Sequence, residues 1–169
     1  MNILNIKADT EYVYPIESDS KKYNFMLRLT KLNEAKTKFP CVLGFDRQIL
    51  GLEETIISAF RREITINKNE IEIARSEDEF TLESGSCLEL LIRDDIKKAD
   101  VKINSGFMTY QGELILAYAL EESILFINDV EHKLQKDEYI IIENFDRKNI
   151  DLITNQTMFV GEFNLAYTL

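Results

Sequence analysis

Apolar and polar residues alternate with a period of two along much of the chain. The pattern is clearest in residues 62–67, 70–74 and 99–104, where branched apolar residues occupy every second position. In an extended strand, this alternation places the apolar side chains on one face and the charged side chains on the other. The sequence therefore predicts half-buried strands in these three segments.

Other segments are apolar at consecutive positions. They are short and bounded by polar residues, as is typical of strands that are covered on both faces. These segments are 48–52, 113–120, 123–127 and 138–142. Many short strands at this spacing predict a mainly β protein, either a sandwich or a barrel.

Turn signals separate the predicted strands. Residues 67–69 are predicted to close a tight hairpin, residues 83–86 to form a turn, and Asn128-Asp129 to reverse the chain. A break at 104–112 suggests that a single 1–169 unit has two approximate halves. These are a barrel in residues 1–104 and a strand-rich half in residues 105–169.

Helix signals are weak, and we expect few short helices. In residues 94–99 the acidic residues come first and the lysines follow, which is the order that a helix dipole favours. Residues 30–38 are the second candidate.

Composition and charge narrow the function classes. The chain has 169 residues, of which 45% are hydrophobic, so it can form a core without disulfides or metal. Its 30 acidic and 20 basic residues give a net charge of −10, which repels nucleic-acid phosphates and anionic lipids. The basic pair Arg61-Arg62 is interpreted as a solvated strand end. We expect neither nucleic-acid nor membrane binding.

The beginning of the chain and the two cysteines bear on location. Residues 1–9 lack the basic and apolar regions of a signal peptide, which favours a cytoplasmic protein. Cys41 and Cys87 have apolar neighbours and form no paired motif, so we expect two reduced, buried thiols.

One motif carries a family resemblance. Phe39 precedes the segment Gly44-Phe45-Asp46-Arg47, and Arg28 lies upstream in residues 24–30. This arrangement resembles the HutD/Ves family. Residues 85–93 are similar to a later family segment, with Glu89 in place of an Asp and Leu91 in place of an Asn. The family's N-terminal Trp-x-Asn-Gly-Gly-Gly segment is absent.

The resemblance covers residues 24–103 with motifs and continues as a strand pattern. It implies two cupin-like barrels in one chain, a bicupin of jelly-roll type. It also implies small-ligand binding rather than catalysis, linked to histidine utilisation or stress response.

Metal-dependent and nucleophilic catalysis lack their usual residues. A metal cupin needs several histidines and a carboxylate, whereas this chain has the single histidine His132. Nucleophilic catalysis needs a base beside the nucleophile, and no such motif accompanies the histidine. We expect no cofactor, no metal ligands and no catalytic residues. The question of catalysis stays open, and a non-enzymatic role is favoured.

The candidate ligand-binding residues are Arg47, Arg28, Asp46, Glu89 and Tyr118. Arg47, with Arg28, could present its guanidinium fork to an anionic metabolite, because the fork matches a carboxylate. The favoured structural alternative is that Asp46 caps a turn and Arg47 pairs with a carboxylate. Tyr118 is interpreted as a core residue, or as a pocket residue if the barrel is hollow.

The leading hypothesis is therefore a small-molecule-binding or regulatory protein with two cupin-like barrels. The alternatives are a protein-interaction module with an acidic surface and an enzyme with a carboxylate-bound metal. A homodimer formed through edge strands is compatible with such a fold.

Overall fold

A computed structural model describes residues 1–7, 11–14, 27–75, 77–94, 96 and 98–164, with the backbone alone for residues 11–14 and 98. The described residues form fifteen strands. The strands are β1 (Asn2–Ile6), β2 (Glu11–Tyr14), β3 (Leu27–Leu32), β4 (Phe45–Gly51), β5 (Thr55–Ala59), β6 (Arg62–Ile66), β7 (Ile71–Arg75), β8 (Phe80–Ser84), β9 (Cys87–Arg93), β10 (Lys98–Tyr110), β11 (Leu114–Ala119), β12 (Ser123–Ile127), β13 (Val130–Leu134), β14 (Tyr139–Glu143) and β15 (Ile150–Asn164). The mainly β prediction is confirmed.

The predicted short helices are wrong for the described residues, which contain no helix. Residues 30–32 continue β3, where their backbone groups are used in the ladder with β9, and residues 33–38 form a turn and an isolated bridge. Of residues 94–99, residues 95 and 97 lie outside the described part, and the others form a turn and the start of β10. Accordingly, no helix in the described ranges is long and apolar enough to cross a membrane.

Residues 10–94 form one compact unit, here called the N-terminal unit. It contains an antiparallel sheet in the order β2-β3-β9-β4-β7 and a three-stranded sheet in the order β6-β5-β8. Its main hydrophobic cluster consists of Leu32, Phe39, Ile49, Ile57, Ile66, Phe80, Leu82 and Cys87. Period-two alternation explains this cluster, because Ile57 and Leu82 are buried at alternate positions of β5 and β8.

Residues 1–9 and 95–169 form the C-terminal unit. Its seven-stranded sheet has the order β1-β14-β11-β15-β12-β13, with β10 paired to β15. The long strand β15 pairs with β10, β11 and β12 along different parts of its length. The inner face is almost entirely aliphatic and includes Ile115, Leu125, Ile140 and Leu152.

The division of the chain differs from the approximate halves 1–104 and 105–169. Strand β1 pairs with β14, so the first residues belong to the C-terminal unit. In the break expected at 104–112, β10 continues to Tyr110 with a register shift between Asn104 and Gly106, where Gly106 has a φ of 77°. A bulge of this kind bends a strand without ending it.

Two turn predictions had different outcomes. The Asn128-Asp129 turn is confirmed: it joins β12 to β13, and both residues have positive φ, as this hairpin turn requires. The hairpin at 67–69 is wrong, because β6 pairs with β5 and β7 pairs with β4. The 67–69 turn instead carries the chain between sheets and packs on Gly51, where a Cβ atom would lie 2.5 Å from the Asn67 carbonyl oxygen.

The two thiols are expected to react at very different rates. The expected burial is wrong for Cys41, which is exposed, and confirmed for Cys87, which is fully buried. Burial together with the negative charge of Glu89 raises the pKa of the Cys87 thiol to about 12. Only a thiolate attacks a disulfide reagent. Ellman's reagent should therefore titrate one thiol per native chain and two in denaturant. The Cys41→Ser variant should lose the fast reaction, and rapid labelling of both thiols in the native protein would contradict the burial of Cys87.

Candidate functional site

Four of the five candidate residues lie on the five-stranded sheet of the N-terminal unit. Arg28 on β3 and Arg47 on β4 are both register partners of Leu91, from opposite sides of β9. Glu89 is two residues from Leu91 and therefore points to the same face of the sheet. The strand pairing thus brings Arg28, Arg47 and Glu89 together, although Arg47 and Glu89 are 42 residues apart in the sequence.

Arg47 and Glu89 form an ion pair inside the N-terminal unit. The Arg47 Nε donates to Glu89 Oε1 at 2.8 Å, and both side chains are fully buried. Arg28 approaches the other carboxylate oxygen, with 3.7 Å between its Nη2 and Glu89 Oε2. A buried charge is tolerated only when it is paired and hydrogen-bonded, and this carboxylate lies between two guanidinium groups.

The other hydrogen bonds of Arg47 go to backbone carbonyl oxygens. Its Nη1 donates to the carbonyl oxygens of Arg75 at 3.2 Å and Asp78 at 2.9 Å, and its Nη2 donates to that of Pro40. The guanidinium carbon lies 5.7 Å from the ring centres of Phe39 and Phe80. Arg47 therefore ties the loop before β4 to the loop before β8.

This geometry agrees with the structural interpretation of Arg47, which predicted pairing with a carboxylate. A ligand-binding role for Arg28, Arg47 and Glu89 stays a prediction. Asp46 is exposed, because it is adjacent to Arg47 on the same strand and points to the opposite face. It lies within β4 in register with Arg75, on the opposite face from Arg28, Arg47 and Glu89, which are here called the buried cluster.

Tyr118 lies on β11 in the C-terminal unit. It is buried, its hydroxyl donates to Asp137 Oδ1 at 2.8 Å, and its ring stacks on Tyr139 with 5.9 Å between centres. Burial, and then the hydrogen bond and negative charge of Asp137, raise the pKa of the Tyr118 hydroxyl. These contacts fit a core tyrosine whose hydroxyl has a partner.

An open recess of about 740 Å³ lies within the N-terminal unit and is here called the recess. Three aromatic and three cationic side chains line it: Phe39, Phe60, Phe80, Lys38, Arg61 and Arg62. The thiol Cys41, the hydroxyl residues Ser58 and Thr81, and the acids Asp78 and Glu79 also contribute to the lining, as does Ala59.

The recess adjoins the buried cluster through residues that Arg47 contacts. Phe39 and Phe80 flank the Arg47 guanidinium and also line the recess. Asp78, another lining residue, accepts a hydrogen bond from Arg47 through its carbonyl. The buried cluster therefore supports the wall of the recess.

The β5–β6 hairpin forms one side of the recess, and sequence reasoning missed its role. Its two turn residues are Phe60, which is 86% exposed, and Arg61, which has a φ of 134°. The Arg61 guanidinium lies over the Phe60 ring, 4.9 Å from its centre. An exposed aromatic residue in a tight turn, followed by two arginines, was the available signal.

Metal binding and histidine chemistry have little support in the described residues. They contain no group of three or more His, Cys, Asp or Glu side chains arranged to hold a metal ion. His132 lies on β13 in the C-terminal unit, remote in sequence from the residues of the recess. The lining of the recess includes cations, aromatic rings and hydroxyl groups. Side chains of these types are suited to an organic anion without a metal.

The fold is similar to solved structures over almost the whole chain. HutD from Pseudomonas fluorescens SBW25 matches with a TM-score of 0.73 and 11% identity, covering 96% of this chain and 98% of that one. The conserved protein PA5104 from Pseudomonas aeruginosa PAO1, of unknown function, matches with a TM-score of 0.73 and 12% identity, covering 97% and 100%. This chain therefore has a HutD-like cupin fold.

A more distant likeness points to the same fold. A phosphomannose isomerase variant from Salmonella typhimurium matches with a TM-score of 0.64 and 7% identity, covering 85% of this chain and 80% of that one. No protein-family model and no curated protein matches the sequence. At these identities the likeness shows the fold alone.

Removal of the Glu89 charge is expected to destabilise the protein strongly. In Glu89→Gln, the buried Arg47 guanidinium loses its charged partner, and breaking such a pair costs roughly 3–5 kcal/mol. Urea denaturation followed by circular dichroism measures the change in unfolding free energy. The matched control is Asp46→Asn, which removes an exposed carboxylate beside Arg47 and should change stability by less than about 0.5 kcal/mol. Equal effects of the two substitutions would contradict the assignment.

The Tyr118 hydroxyl is expected to make stability sensitive to alkaline pH. Because its pKa is raised in the folded state, the unfolded chain loses this proton first, near the ordinary tyrosine pKa of about 10. Its stabilisation is therefore complete below that pH and falls as the pH rises further. Tyr118→Phe should lower stability by about 1 kcal/mol at neutral pH and flatten the alkaline decline. Urea denaturation of both proteins between roughly pH 8 and pH 11, around that pKa, measures the loss of stability. A Tyr118→Phe variant that loses stability as steeply as the wild type would contradict the role assigned to this hydroxyl.

Proposed function

We propose that this chain is a non-enzymatic, small-molecule-binding cupin protein of the HutD/Ves type, in which the two units correspond to two cupin-like halves. Its ligand is an organic anion with an apolar body, which binds in the recess. Binding lets the protein sense an anionic metabolite, in line with the histidine-utilisation or stress-related role that the resemblance implies. The observation that carries the proposal is the lining of the recess, where aromatic rings and cations surround one opening.

The cations support an anionic ligand. Lys38, Arg61 and Arg62 line the recess against two acids, Asp78 and Glu79, whereas the whole chain has a net charge of −10. The local excess of positive charge attracts a small anion, while the negative charge of the whole chain repels acidic macromolecules. Arginine also recognises a carboxylate through two parallel hydrogen bonds.

The aromatic residues support an apolar body for the ligand. Phe39 and Phe80 are buried, with ring centres 6.1 Å apart in an edge-to-face arrangement, and Phe60 stands exposed on the hairpin turn. Small-molecule sites commonly combine apolar walls with a few polar groups that fix orientation. The hydroxyl group of Thr81 supplies such a group here, whereas the Ser58 hydroxyl already donates to Glu83 Oε1.

The backbone of the hairpin turn supports a functional role for Arg61. A non-glycine residue with a φ of 134° is strained, at a cost of roughly 1–3 kcal/mol. A glycine at this position would avoid that cost. An arginine in a position suited to glycine is explained if its guanidinium and the neighbouring Phe60 ring are needed at the recess.

Matched probes test the proposal. Benzoate combines a carboxylate with an apolar ring, and benzamide has nearly the same shape without the charge. We expect benzoate to shift the amide NMR signals of residues around the recess and benzamide to shift them much less. The absence of a saturable benzoate response, or an equal response to both probes, would overturn the proposal.

Arg61→Gly separates the ligand role from a purely structural one. It should weaken benzoate binding by roughly tenfold, because a charged hydrogen bond is lost, and raise stability by about 1 kcal/mol, because the strained backbone is relieved. Lys68→Gln is the control, since it removes a positive charge in the 67–69 turn, away from the recess lining. Calorimetric titration and urea denaturation measure the two effects. Full binding by Arg61→Gly would overturn the role assigned to Arg61 in the recess.

A further inference from the structure

Strand β13 ends the sheet of the C-terminal unit and has an open edge among the described residues. It is paired with β12 through the two-residue turn Asn128-Asp129, which sets Ile127 opposite Val130. In such a hairpin the closing pair is hydrogen-bonded, and bonded and non-bonded pairs then alternate. The backbone groups of Glu131 and Lys133 therefore point away from β12 and towards solvent.

The residue order along β13 is self-complementary. It reads Val130, Glu131, His132, Lys133, Leu134, so an apolar residue stands at each end and the acid and the base flank the centre. If this strand pairs antiparallel with an identical strand about His132, each Glu131 lies opposite Lys133 of the partner subunit. Each Val130 then lies opposite the partner subunit's Leu134.

We propose that the open edge of β13 pairs antiparallel with the same edge of a second copy, and so forms a two-fold symmetric homodimer. The outward backbone groups of Glu131 and Lys133 would complete the ladder at the positions where the side-chain charges attract. A two-fold interface requires a surface that complements itself, and this strand has that property in both its backbone and its charge order.

The exposed side chains of β13 are consistent with pairing to a second copy of the chain. The side chains of Glu131 and Lys133 are 49% and 75% exposed, and their 3.7 Å contact within one strand is worth little in water. Val130 is 58% exposed, which leaves apolar surface at the end of the edge. Opposite-charge pairs directly across two strands stabilise a sheet by roughly 0.2–1 kcal/mol each.

Charge also explains why this edge suits a second copy. Two chains that each carry a net charge of −10 repel each other in most relative orientations. The β13 segment is locally neutral because its acid and its base cancel. It therefore allows contact between two copies without placing like charges opposite one another. The short ladder predicts a weak dimer that depends on protein concentration.

Charge-reversal variants of β13 test the proposal, because a mixture of two opposite variants should restore the dimer that each variant alone loses. Sedimentation velocity over a concentration series should show dimers of the wild type and monomers of Glu131→Lys and of Lys133→Glu, because each variant sets like charges opposite each other. An equimolar mixture of the two variants should dimerise again, since opposite charges then meet at every position. The double swap Glu131→Lys with Lys133→Glu should also dimerise. Lys136→Glu is the control, with the same charge change as Lys133→Glu on a neighbouring exposed turn, and should behave as the wild type.

A backbone variant provides a second measurement. Glu131→Pro removes an N–H group that faces the open edge and leaves the β12 side of the ladder intact, so it should abolish the dimer with little effect on folding. A wild type that stays monomeric at every concentration would overturn the proposal. A dimer that survives Lys133→Glu and Glu131→Pro would also overturn it, because its interface would lie elsewhere. Neither result bears on benzoate binding in the recess.

Discussion

The buried guanidinium of Arg47 is the constraint on which the N-terminal unit depends. A permanent charge in an apolar interior must be neutralised and hydrogen-bonded, and removal from water costs several kcal/mol before any partner is met. Glu89 supplies the negative charge at 2.8 Å, and three backbone carbonyls accept the remaining hydrogen bonds. The guanidinium therefore fixes the position of each segment that carries one of these groups.

The recess follows from this arrangement. The Pro40 and Asp78 carbonyls lie in the segments that carry two of its rings, Phe39 and Phe80, and both rings pack against the same guanidinium. Arg47 is thus a residue that positions the walls, while the exposed cations on the hairpin face the opening. The two arginines differ in their surroundings, since Arg47 is buried against Glu89 and Arg61 is exposed at the lining of the recess.

The sequence predicted local features well and pairings poorly. Alternation at 62–66 and the Asn128-Asp129 turn depend on neighbouring residues, and both are confirmed. The 67–69 segment also turns the chain, but its residues do not encode which strands pair, and Gly51 supplies the surface on which the turn packs. The proposed helix in residues 30–38 failed because long-range pairing of β3 with β9 overrides weak local propensity.

The residues of the buried cluster could be identified from the sequence, whereas the recess could not. The motif identified Arg47, Arg28 and Glu89, and strand register brings them together. The recess depends on Phe60 and Arg61, whose pattern looks like an ordinary solvated strand end until a tight turn places them beside Phe39 and Phe80. Local sequence defines the chemistry of each side chain, whereas the fold decides which chemistries share a surface. In an acidic chain, the informative positions are therefore those where the fold concentrates positive charge or cancels negative charge.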